Sequence, residues 1–127
     1  MSLQFKCLLF KDYCKYNLNA YLAEIHTAGE NNFLMSILPK PTLDDDDIWV
    51  WLGANDLRMD RRFIWNNSGT EFDFTDWGPG EPTRYYEECL STHLYRRDGK
   101  LHWKDRACYW WNFFVCEKSV GRSGCEE

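Results

Sequence analysis

The sequence predicts an α+β fold in which two helices come first and short antiparallel strands follow. Three observations predict it. Apolar residues recur at helical spacing only before Pro39. From Ile48 onward the pattern becomes short aromatic and β-branched runs separated by turn residues. Between Gly69 and Cys89 lies a stretch with little regular pattern, broken by Pro79, Gly80 and Pro82. A long irregular loop of this kind points to function, because its ordering must be offset by something it does.

Each element has its own signal. Leu3, Cys7, Phe10 and Cys14 space a first helix over 3–17. A short strand over 21–25 follows. Thr27-Ala28-Gly29-Glu30 reads as a capping box, with the Thr hydroxyl and the Glu carboxylate covering exposed N–H groups. The helix it opens carries Phe33, Leu34, Ile37 and Leu38 on one face and ends at Pro39 and Pro41. "IWVWLG" is a strand that stops at Gly53, and "RFIW" is another, closed by an Asn-Asn-Ser-Gly turn. "CLSTHLY", Arg97-Asp98-Gly99-Lys100 and "LHW" form a hairpin with an Asp-Gly turn. "YWWNFFVCEK" is the last strand, and "SVGRSGCEE", residues 119–127, is a disordered tail.

The bulk numbers bound the function. A chain of 127 residues makes one domain with a real core, and 44% apolar residues exclude a disordered composition. Net charge is -5, and a phosphate-binding partner needs a basic patch, so nucleic acid is excluded as the main partner. Asp44 to Asp47 form a solvated loop tip or a loose cation contact. Six cysteines without C-x-x-C spacing argue against structural zinc and for disulfides in an oxidising, extracellular compartment. Lys6 and Lys11 interrupt the opening, which is no signal peptide; the signal was removed or the chain is a fragment. No segment is apolar enough for a membrane span.

His26, His93 and His102 are the only histidines. None lies in a nucleophile, phosphate-loop or H-E-x-x-H context, and His93 and His102 flank a hairpin turn where they pair across strands. The chain is read as a non-enzyme.

"LAEIHTAGENNFL", "WLGANDL", "FIW", "WGPGEP", "EEC", "WKDRAC" and "FFVCEK" occur in an order that resembles the C-type lectin-like domain. The resemblance covers roughly residues 14–118 and lacks the family's opening strand, so the chain looks like an N-terminally shortened member, with 1–118 as the domain. The fold implied is two helices packed on short antiparallel sheets with a long irregular ligand-binding loop. Two disulfides are implied, Cys14 with Cys116 and Cys89 with Cys108. The second closes the base of the loop and is worth about 3 kcal/mol in the chain-entropy model. Cys7 and Cys125 pair together, cross-link two chains, or stay free.

Sugar-binding members hold calcium in the loop, and two sugar hydroxyls complete its shell of six to eight oxygens. Ligating side chains also hydrogen-bond those hydroxyls, so the family uses Glu-Pro-Asn and Trp-Asn-Asp. By this resemblance Glu81, Glu87 and Asp105 match ligating acids, and Pro82 matches the proline. Thr83 replaces the first Asn, and Lys104 replaces the second. An ammonium has no acceptor, and beside a divalent ion it adds several kcal/mol of repulsion at about 4 Å and an effective dielectric near 20. Two readings follow. Lys104 reaches into water and calcium binds weakly, or its ammonium takes the metal's place among Glu81, Glu87 and Asp105.

A second, non-sugar calcium site is implied at Asp56, Asp60, Glu87 and Glu88, where Arg84 replaces an acid; the alternative is an Arg84-centred ion-pair cluster. Tyr85 and Tyr86 stack on a sugar ring or anchor a protein. One of Trp110 and Trp111 points inward by alternation. Asn66-Asn67-Ser68 is a glycosylation pattern on a surface turn. The partner expected is a glycan or glycoprotein, bound with calcium or through a lysine-ordered loop; the other reading is a protein ligand without sugar activity.

Overall fold

The computed structural model describes residues 6–40, 48–57, 62–83, 88–95, 97–110 and 112–118, with residues 6–11 as backbone alone. Pro41, the four aspartates at 44–47, the tail 119–127 with Cys125, and the side chain of Cys7 therefore lie outside the described residues. In chain order the elements are α1 (Lys6–Leu18), β1 (Tyr21–Leu22), α2 (Ala28–Ile37), β2 (Ile48–Asn55), β3 (Ile64–Trp65), β4 (Cys89–Leu94), β5 (Leu101–Arg106), β6 (Phe113–Phe114) and β7 (Cys116–Glu117). The helices precede the main sheet, as an α+β fold requires. Among the described residues no helix is long and apolar enough to cross a membrane.

Two sheets form. β1 pairs antiparallel with β7, and the larger sheet runs β3-β2-β4-β5, with β6 joining β2 in parallel. Cys14–Cys116 ties α1 to β7, and Cys89–Cys108 ties β4 to the segment after β5. The core lies on one face of the large sheet, where Leu34, Val50, Leu52, Trp65, Leu90 and Trp103 are buried. β4 is buried throughout because its other face is covered too, with Trp51 packed against Cys89, Cys108 and Phe114.

Several local expectations change. The strand predicted to stop at Gly53 runs on to Asn55. Gly53 is there for closeness: its N–H donates to Ala23 O at 2.9 Å, and a Cβ would stand 2.5 Å from Leu22 O. This residue is where β1 crosses β2, and only glycine fits. The strand predicted over 21–25 is two residues long, and the predicted final strand is two short pieces.

At α2, Thr27 is the N-cap and accepts from Glu30 N at 3.1 Å. The Glu30 carboxylate reaches one residue further back than in a capping box, to His26 N at 3.1 Å. Leu34 is buried, but Phe33 and Ile37 are 66% and 53% exposed, so the apolar face is only partly covered. They line a groove of about 510 Å³ with Ala23, Ile25 and Val115. The hairpin turns at Gly99, whose φ is +68°.

Candidate functional site

The irregular segment after β3 is ordered by aromatic packing on β5. Trp103 is fully buried and meets Trp65, Phe72, Phe74 and Trp77 edge-on, at centroid distances of 5.8, 5.2, 5.8 and 5.9 Å. Its N–H donates to Asp76 O at 2.7 Å, and its carbonyl accepts from Gly78 N at 2.9 Å. Asn31 of α2 donates Nδ2 to Asp76 Oδ2 at 3.0 Å. Burial raises the Asp76 pKa, against the opposing pull of Asn31.

From this base the chain turns at 78–81, with Glu81 N donating to Gly78 O, and delivers Glu81, Pro82 and Thr83 beside β5; the Glu81–Pro82 peptide is cis. Here lie most of the expected loop residues that are described. Lys104 Nζ stands 3.8 Å from Glu81 Oε2, with the Glu81 side chain only 12% exposed. Asp105 takes different partners: its Oδ1 accepts from Thr83 N at 2.8 Å and from Thr83 Oγ1 at 3.0 Å. Strand alternation explains the split. Asp105 shares the buried side with Leu90, its cross-strand partner, while Lys104 pairs with Ser91 and faces outward. The expected enclosure of Lys104 by three acids is thus built with Glu81 alone among the described residues. Glu87, Tyr85, Tyr86 and Arg84 lie outside them.

For the second expected site, Asp56 N donates to Glu88 O at 3.0 Å, which sets these two residues side by side; Asp60 lies outside the described residues. Among the described residues no three His, Cys, Asp or Glu side chains converge as a metal-holding group. With Asp105 Oδ1 bonded twice to Thr83 and an ammonium beside Glu81, the described residues do not fit calcium, which requires six to eight oxygens.

Other polar anchors had a weaker sequence signal. Glu24 is 5% exposed in the apolar run "LAEI". Its Oε2 accepts from Asn67 N and Ser68 N at 2.8 and 3.0 Å, and its Oε1 meets His26 Nε2 at 3.0 Å. His26 Nδ1 meets Asp73 Oδ1 at 3.2 Å. Burial works against the charge on His26, but hydrogen bonds and attraction from Glu24 and Asp73 outweigh it and raise the pKa. The glycosylation reading of Asn66 changes: its Oδ1 accepts from Asn55, and its Nδ2 is buried. Trp110 is 48% exposed rather than core, and Trp111 lies outside the described residues. His93 and His102 are cross-strand partners.

The family model for the lectin C-type domain matches residues 10–118. Perlucin of Haliotis laevigata is 34% identical over 109 residues, which cover 84% of this chain and 65% of perlucin. The chain spans less than two thirds of the length of the first curated relatives it matches. Human lithostathine superposes with a TM-score of 0.74 at 28% identity, over 91% of this chain and 85% of that one. The cow carbohydrate-recognition domain of CD23, solved in the presence of a GlcNAc2Man3 oligosaccharide, gives a TM-score of 0.67 at 26% identity, over 91% and 82%. The matched family is one of binding modules, and the chain is not an enzyme.

Proposed function

The chain belongs to the C-type lectin domain family, and we propose that it is a carbohydrate-recognition module whose dependence on calcium is weakened or lost. The domain is residues 1–118, and the two disulfides among its described residues suit an extracellular setting. The loop keeps a carboxylate acceptor for sugar hydroxyls in Glu81, with Asp105 holding Thr83 from behind, and the sequence adds two aromatic rings and a further acid in Tyr85, Tyr86 and Glu87.

The observation that carries the reading is the Lys104 ammonium at 3.8 Å from Glu81 Oε2. A fixed cation stands where a ligand to a divalent ion is expected, and it neutralises the carboxylate that the ion would neutralise. Calorimetry with millimolar calcium tests this on the wild type and on Lys104→Asn. The wild type takes up no calcium, the variant gains affinity, and a glycan array reads the same with and without EDTA. Tight calcium binding by the wild type overturns the reading.

One observation favours a protein ligand without sugar activity. Tyr109, Trp110 and Phe113 are 49%, 48% and 59% exposed on the segment that follows Cys108, and such rings anchor protein partners. A blank array under both conditions selects this second reading.

A further inference from the structure

Apart from the loop, one surface of the sheet carries a pattern of its own. Lys100, His102, Lys104 and Arg106 occupy every second position along and just before β5. The cross-strand register puts His102, Lys104 and Arg106 opposite His93, Ser91 and Cys89, on the side away from the core. With a rise of about 3.3 Å per residue, the four basic groups follow one another every ~7 Å and span ~20 Å. Arg97 stands exposed in the adjoining turn. This row of basic side chains lies on a chain whose net charge is -5.

Aromatic rings run beside it. The Arg106 guanidinium lies 3.9 Å from the Trp49 ring and 4.9 Å from the half-exposed Trp110 ring, and Lys104 Nζ lies 5.7 Å from Trp49. Arg106 also donates to Asn112 Oδ1 at 3.2 Å. His93 stacks on Trp49 at 3.6 Å, and Tyr95 lies 4.1 Å from His93 and 4.4 Å from His102. These contacts fix the planar groups before any ligand arrives. Among the described residues the acids facing the line are Asp98, 2.9 Å from His102, Glu81, 3.8 Å from Lys104, and Asp76, which His102 also reaches electrostatically.

We propose that the outward face of β5 binds a linear sulfated polysaccharide, separately from the loop. Sulfates at regular intervals suit the cations, and pyranose faces suit the half-exposed rings of Tyr109 and Trp110. An acidic peptide adding as a strand is disfavoured, because the 76–78 segment already bonds the outer edge of β5 at Trp103. A duplex needs a broad basic surface, and this one is a single row. The proposal shares Lys104 with the loop reading but does not rest on it: that reading uses none of Arg97, Lys100 and Arg106, and Asp105, which holds Thr83, lies on the buried side of the strand.

The test is calorimetry of the full chain with a heparin-derived octasaccharide, its desulfated form, a single-stranded oligonucleotide and poly-glutamate, all in EDTA. The sulfated sugar binds, and its affinity falls at least tenfold between about 50 and 200 mM salt as counterion release lapses. Arg97→Gln with Lys100→Gln, both exposed, weakens it at least tenfold without moving the thermal midpoint; Arg106→Gln weakens it further. Equal binding of the desulfated sugar, an unaffected double variant, or tighter binding of the oligonucleotide or peptide overturns the proposal. Neutral-glycan binding on the array is a separate readout, so failure here leaves the loop reading standing and the converse also holds.

Discussion

Thr83 and Asp105 meet through a single carboxylate oxygen, Oδ1, which accepts both the backbone N–H and the side-chain hydroxyl of Thr83. Asp105 is 1% exposed, so its Oδ1 is satisfied by these donors rather than by water. Thr83→Val keeps the shape and the N–H but removes the hydroxyl. It is expected to lower stability by roughly 1.5–3 kcal/mol, as for a hydrogen bond to a charged group. Denaturant unfolding checks this; an unchanged midpoint means the hydroxyl contributes nothing.

Gly53→Ala puts a methyl 2.5 Å from the Leu22 carbonyl, where the obstacle is backbone and cannot rotate aside. Loss of at least about 2 kcal/mol is expected, with β1 displaced from β2. Hydrogen exchange at Gly53 N, which donates to Ala23 O, locates the damage. Slow exchange there in a stable variant contradicts the crossing described.

His26 confers a pH dependence. Its folded pKa is raised above 6.5, so its contribution is fully present below 6.5 and fades as pH rises through the folded value. The stability gap between wild type and His26→Gln should therefore narrow from about pH 5.5 to about pH 8.5. Urea midpoints across that range read it directly, and a gap independent of pH removes His26 from the account.

A glycan on Asn66 cannot coexist with the buried Nδ2 and the bond from Asn55. Protein secreted from a glycosylating host is expected to show no mass change on endoglycosidase treatment. A mass shift that disappears in Asn66→Gln refutes this.

The order of elements was legible because it rests on local signals: the Thr27 cap, the prolines after Leu38, and the Asp-Gly turn. What escaped depends on residues distant in sequence. Gly53 looks like a stop until Leu22, thirty-one positions earlier, lies against it. Phe33 and Ile37 have the right spacing for a core face, but the elements packed on α2 cover mainly Leu34. At the site, Glu81 and Lys104 could be paired from charge alone. The Thr83–Asp105 bond could not, because it needs the turn at 78–81 to swing one residue past the other side of β5. The alternation of basic residues along "KLHWKDR" was present in the sequence but gains meaning only once that side of β5 is known to face away from the core.

The bridge between Cys14 and Cys116 holds two points 102 positions apart in the chain with their Cα atoms 5.5 Å from each other. The first helix and the last described strand are thus clasped at one point. A unit built this way can be spliced into a longer protein, or strung in tandem, with a mechanical load on the two connections borne by the bridge rather than by the sheet that displays Lys104.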